Sequence, residues 1–137
     1  MIVADTGAIV ALIDADDRHH GPLLQLFDQD PDAWILPWAI LPEVDYLLLT
    51  HVAPYVELAF VHDLADGRYA VEWGDESDLS RARELCDQFS DLHLGLTDAI
   101  VLAVAERLAA GAIATLDLRH FGAVKLRGEP KLLPRDL

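Results

Sequence analysis

Four short apolar runs, Met1–Asp5, Trp34–Pro37, Tyr69–Trp73 and Ala112–Asp117, are separated by stretches whose apolar residues recur at helical spacing. Strands that alternate with helices pair in parallel, and a parallel sheet needs helices on both faces to keep its backbone and side chains from water. The expected fold class is therefore α/β, a three-layer α/β/α domain with a central, mainly parallel sheet. The intervening helices read as Ala8–Ile13, Leu23–Gln29, a long helix from after Pro37 to about Leu49, one beginning near Pro54, an amphipathic Asp75–Phe89 and a last one from Asp98 to Ala110. Thr97 is the expected cap of that last helix and Gly111 its stop. It is apolar almost all round, so burial on every side is predicted. On α-helical spacing Leu79, Ala82, Leu85, Cys86 and Phe89 should face the core. The tail around Leu132–Leu133 offers at most a short edge strand.

A chain of 137 residues, 53% apolar and without a low-complexity tract, suits one domain, residues 1–137, around one core. Cys86 is the only cysteine, which excludes an internal disulfide and a cysteine metal cage and fits a reducing cytoplasm. The first residues carry no basic segment before Asp5, and the apolar runs are too short to cross a bilayer, so neither a secretory signal nor a membrane anchor is expected. With 24 acidic and 10 basic residues the formal charge is −14. That excludes a general basic footprint for nucleic acid, unless divalent ions gathered by the acids reverse the local sign. It also suggests a basic partner.

In parallel α/β sheets ligands bind beyond the carboxyl ends of the strands, where the strand order reverses. Asp5 and Asp117 each close a strand and should emerge at that edge, although either taken alone reads as a turn former or helix cap. Glu43 has Ala39, Ile40, Tyr46 and Leu47 one turn away, a stripe that should point it inward, in contrast to Asp45 on another side. Asp98 stands in the first turn of the most apolar helix, where the macrodipole alone would also explain an acid. Four carboxylates drawn into one pocket need neutralising, and few lysines or arginines are placed to do it. Mg²⁺ or Mn²⁺ fits an oxygen-only donor set and can activate water for phosphodiester hydrolysis. A Gly-rich phosphate loop, a His-Glu-x-x-His zinc motif and a plausible Ser/His pair are all absent.

The residues Met1–Leu12, Leu41-Pro-Glu43-Val44, Leu96–Ala103 and Ala114–Phe121, in this order and separation, resemble the PIN domain, and more narrowly the VapC-type toxins of toxin–antitoxin pairs. The resemblance implies a Mg²⁺- or Mn²⁺-dependent endoribonuclease in which Asp5, Glu43, Asp98 and Asp117 correspond to the family's acids. Thr6 and Thr115 occupy places where small hydroxyl residues steady those acids. Pro42 before Glu43, and Leu116 where a polar residue is frequent, are mild departures. It further implies an RNA substrate, a homodimer, and a cognate antitoxin whose basic carboxyl-terminal segment reaches the acidic pocket.

Arg119 and His120, beside Asp117, offer either an RNA-phosphate contact or a cap on the sheet edge. His19-His20 with Asp14, Asp16 and Asp17 read as a solvated loop, and Trp34, Trp38 and Trp73 as core or dimer packing rather than base-stacking platforms. Two other functions compete. One is a phospho-receiver domain with Lys125 as its lysine, which lacks the acidic pair after the first strand. The other is a PIN-like module that has lost catalysis and only binds RNA or a partner.

Overall fold

The computed structural model describes residues 1–137. In chain order it contains β1 (Ile2–Ala4), α1 (Thr6–Ile13), α2 (His20–Gln29), β2 (Trp34–Pro37), α3 (Leu41–Leu47), α4 (Pro54–Ala65) and β3 (Ala70–Glu72). There follow α5 (Glu76–Gln88), α6 (Leu96–Arg107), β4 (Ala112–Ala114), the single-turn α7 (Leu118–Phe121) and β5 (Lys131–Leu133). All five strands pair in parallel, in the order β3-β2-β1-β4-β5. The chain moves outward through β1, β2 and β3, then crosses back to β4 and on to β5. Right-handed crossovers then set α1–α4 on one face and α5–α7 on the other. Packing agrees, with α1 against α2 and α3, and α5 against α6.

The core is the middle of this sandwich, where Val3, Leu36, Ile113 and Ala114 of the strands are fully buried. Helix α6 lies between the sheet and α5, and Ala99 through Ala105 are all buried. Its all-round apolarity is thus the mark of a helix with protein on both sides, where each large aliphatic side chain contributes about 1.5–3 kcal/mol. No helix is long and apolar enough to cross a membrane.

Several boundaries differ from the expectations, each for a local reason. The α6 cap is Gly95, in extended conformation, so Thr97 lies inside the helix and Asp98 becomes its third residue. At the other end Ala109 adopts φ 50°, and the left-handed turn that stops the helix comes two residues before Gly111. The long helix after Pro37 is a composite of a 3₁₀ turn at Trp38–Ile40, α3, and a π turn at Leu48–Val52. Helix α5 buries Asp78, Ala82 and Leu85, which leaves Leu79 one step round the helix and exposed. Trp34 is core, whereas Trp38 and Trp73 are exposed. The first and fourth strands are shorter than their apolar runs because Asp5 and Asp117 turn out of the sheet to cap α1 and α7.

Candidate active site

The order reverses between β1 and β4, whose registers align Ala4 with Ala114. The next residues therefore leave the sheet side by side, and the Asp5 amide donates to the Ala114 carbonyl at 2.9 Å. Asp5 is 5% exposed. Its Oδ1 accepts from the Thr6 amide at 2.7 Å, and its Oδ2 accepts from the Thr115 hydroxyl at 3.0 Å. The same hydroxyl accepts from the Asp117 amide at 3.1 Å, so one buried threonine ties both strand-end acids together. Thr6 supports Asp5 only through its backbone, because its own buried hydroxyl has no partner.

Asp117 caps α7, accepting from the His120 amide on Oδ1 at 3.1 Å and from the imidazole Nδ1 on Oδ2 at 2.8 Å. The same Nδ1 stands 3.5 Å from Asp98 Oδ2. Ligand atoms of Asp98, Asp117 and His120 all lie within 4.8 Å of one another. A cleft lined by Asp5, Thr6, Glu43, Asp98 and Asp117, with Leu47 and Leu116 as its apolar wall, brings all four sequence-selected acids together.

Glu43 does not point inward as its neighbours suggested. It is exposed at the rim, because Ile40, Val44 and Leu48 form the stripe that faces the core and Glu43 flanks it beside Leu47. Arg119 is also exposed, outside the cleft lining. The residue that sequence reasoning undervalued is His120. Its signal was its place three residues after Asp117, where a helical turn folds a side chain back onto its cap.

Each of the four acids sits in the cap or first turn of a helix, Asp5 on α1, Glu43 on α3, Asp98 on α6 and Asp117 on α7. Unpaired amides and the positive helix ends offset part of their repulsion. The offset is incomplete. Burial first, and the charge of Asp98 second, push the Asp5 carboxyl up to about 7 against the opposing bonds from Thr6 and Thr115. Burial and the charge of Asp117 likewise raise Asp98, with His120 pulling the other way. No lysine or arginine pairs with any of the four. Carboxylates gathered without a lysine or arginine, and a buried threonine hydroxyl with no partner beside them, make an oxygen-rich donor set that fits a hard divalent cation.

A family profile for the PIN domain matches residues 2–125. The chain belongs to the PIN-domain family. Among curated relatives, Ribonuclease VapC26 of Mycobacterium tuberculosis (strain ATCC 25618 / H37Rv) is 30% identical over 124 residues, covering 90% of this PIN domain and 92% of that protein. The crystal structure of Mycobacterium tuberculosis VapC20, described as a sarcin–ricin-loop-cleaving toxin, superposes with a TM-score of 0.77 at 22% identity, covering 93% of this chain and 99% of that one. DNA-bound VapBC from Salmonella typhimurium gives a TM-score of 0.72 at 18% identity, covering 96% and 95% of the two chains. At these identities the two structures speak for the fold. Family membership retires the phospho-receiver alternative, and Lys125 lies outside the acid cleft.

Proposed function

We propose that this PIN domain, residues 1–137 acting as one nuclease unit, is a metal-dependent endoribonuclease and the toxin of a toxin–antitoxin pair. The observation that carries the reading is the convergence of Asp5, Glu43, Asp98 and Asp117 on one cleft at the switch point of the sheet. The name of the 30% identical relative supports RNA as the substrate.

Asp5, Asp98 and Asp117 hold Mg²⁺ or Mn²⁺ in this reading, with Glu43 completing the set from the solvent side. Such an ion supplies Lewis acidity to the scissile phosphate and lowers the pKa of the attacking water. The chain's own part is positional. Thr115 fixes the spacing of Asp5 and Asp117 through one hydroxyl, the Thr6 amide orients Asp5, and the short helices aim their positive ends toward the acids. Exposed Arg119, two residues beyond Asp117, is placed to meet an RNA phosphate. The −14 charge and the acid cleft together suit a cytoplasmic antitoxin with a basic carboxyl-terminal segment, in an assembly built on a homodimer.

Partner-free protein incubated with structured RNAs should cleave them internally with Mg²⁺ or Mn²⁺ and not with a chelator. Asp5→Asn and Asp98→Asn should each retain the fold by circular dichroism and lose on the order of a hundredfold or more in rate, the cost of several kcal/mol of lost charge stabilisation. Cleavage by both variants at the wild-type rate would refute the assignment, and RNA binding without cleavage in the wild type would favour the inactive module.

A further inference from the structure

We infer that His120 is itself a metal ligand, its Nδ1 joining Asp98 and Asp117 at the edge of the acid cleft in a mixed nitrogen and oxygen set that favours Mn²⁺ over Mg²⁺. This rests on the metal-dependent reading above and adds to it a ligand other than the four acids.

The geometry is that of three donors around one point. Nδ1 is 2.8 Å from Asp117 Oδ2 and 3.5 Å from Asp98 Oδ2. Neighbouring corners of an octahedron with bonds of about 2.1 Å stand roughly 3 Å apart, close to both separations from Nδ1, and the three ligand atoms all lie within 4.8 Å of one another. The ring is held in place. The His120 amide donates to Asp117 Oδ1, and the next residue, Phe121, is 2% exposed and anchors the α7 turn in the core. Both hydrogen bonds that place this residue, from its amide and from its ring Nδ1, run to Asp117, so the imidazole is held on the acid side of the α7 turn.

Nitrogen changes what such a site prefers. Mg²⁺ takes oxygen donors almost exclusively, whereas transition ions accept imidazole readily. An oxygen-only cleft and one with a histidine ligand therefore differ in the ratio of Mn²⁺ to Mg²⁺ affinity, independent of any RNA cleavage.

The test uses the intact, partner-free chain loaded with Mn²⁺. Electron spin-echo modulation should show a directly bonded ¹⁴N in the wild type that is lost in both His120→Gln and His120→Ala. Calorimetry should show Mn²⁺ affinity falling about tenfold or more in both variants, with Mg²⁺ affinity changing by less than about threefold. Glutamine can still donate to Asp117, so a histidine that only positions that carboxylate would leave the His120→Gln ratio at the wild-type value. Bound Mn²⁺ without nitrogen modulation, or an unchanged Mn²⁺ to Mg²⁺ ratio in both variants, would overturn the inference while the carboxylate reading stood. Failure of the wild type to bind either ion would overturn both.

Discussion

Carboxylates gather at both ends of helix α6, and only one end pairs them with arginines. At its carboxyl end Asp78 is 3% exposed, comparable to Asp5. There the Arg107 guanidinium donates to both Asp78 oxygens, at 2.7 and 3.0 Å, and to Glu72 at 2.8 Å. Arg81 bonds Glu106 at 2.8 Å. Burial works to raise the Glu106 carboxyl, but Arg81 and the Arg127 amide outweigh it and bring it below its ordinary value. At the amino end no guanidinium is in reach: burial and the charge of Asp98 raise Asp5, and burial with the charges of Asp117 and Glu43 raises Asp98. Equal burial therefore does not mean equal purpose. A carboxylate buried with its arginine is structure, whereas carboxylates gathered without one are what the proposed cation would neutralise.

If that contrast is right, breaking each end should move stability in opposite directions. Arg107→Leu strands Asp78 without its main cation and should cost about 3 kcal/mol, a fall of roughly 10 °C in thermal midpoint. RNA cleavage per folded molecule should be unchanged. A loss of cleavage without a loss of stability would break the division between the two ends.

Asp5→Asn should do the reverse in metal-free protein. The folded Asp5 value of about 7 lies above the unfolded value near 4, so the folded state holds this proton longer as pH rises. The favourable contribution is complete below about pH 4, declines as pH climbs to about 7, and is gone above it. The ceiling set by the displacement is about 4 kcal/mol. Asp5→Asn, which cannot ionise, should recover about 2 kcal/mol at pH 8 in chelator and nothing at pH 4, read from denaturant midpoints. A destabilised Asp5→Asn at pH 8 would mean that the Thr6 and Thr115 bonds matter more than the charge.

Thr115→Val sharpens the comparison from a third side, by loosening the coupling of Asp5 to Asp117 without touching either charge. It should cost about 1 kcal/mol of stability and about tenfold in metal affinity. An unchanged affinity would show that the backbone alone sets the spacing of the two acids.

The readable parts of this molecule are those where one residue's position follows from chain direction. Asp5 and Asp117 were legible because parallel strands deliver their carboxyl-end residues to one edge, and Asp98 because a helix that is apolar all round must be covered on both faces. Glu43 lines the cleft but stands exposed at its rim, where its apolar neighbours suggest an inward acid. Helical spacing leaves two stripes open, Ile40-Val44-Leu48 and Glu43-Leu47, and only the sheet decides which one is covered. The pairing of Asp78 with Arg107, 29 residues away, depends on how α5 lies along α6, which no local pattern encodes. His120 is visible as a neighbour of Asp117, but its approach to Asp98 brings α7 against the amino end of α6, which no local pattern encodes.

The central claim is that the acids at the amino end of α6 jointly hold a divalent cation, and the direct measurement is the thermal midpoint at pH 8 as Mn²⁺ is titrated into chelator-treated protein. A ligand that binds only the folded state at a hundred times its dissociation constant adds about 2.7 kcal/mol, so the wild type and Arg107→Leu should both gain several degrees and Asp98→Asn almost none. An equal gain in Asp98→Asn, or no gain in the wild type, would contradict the account.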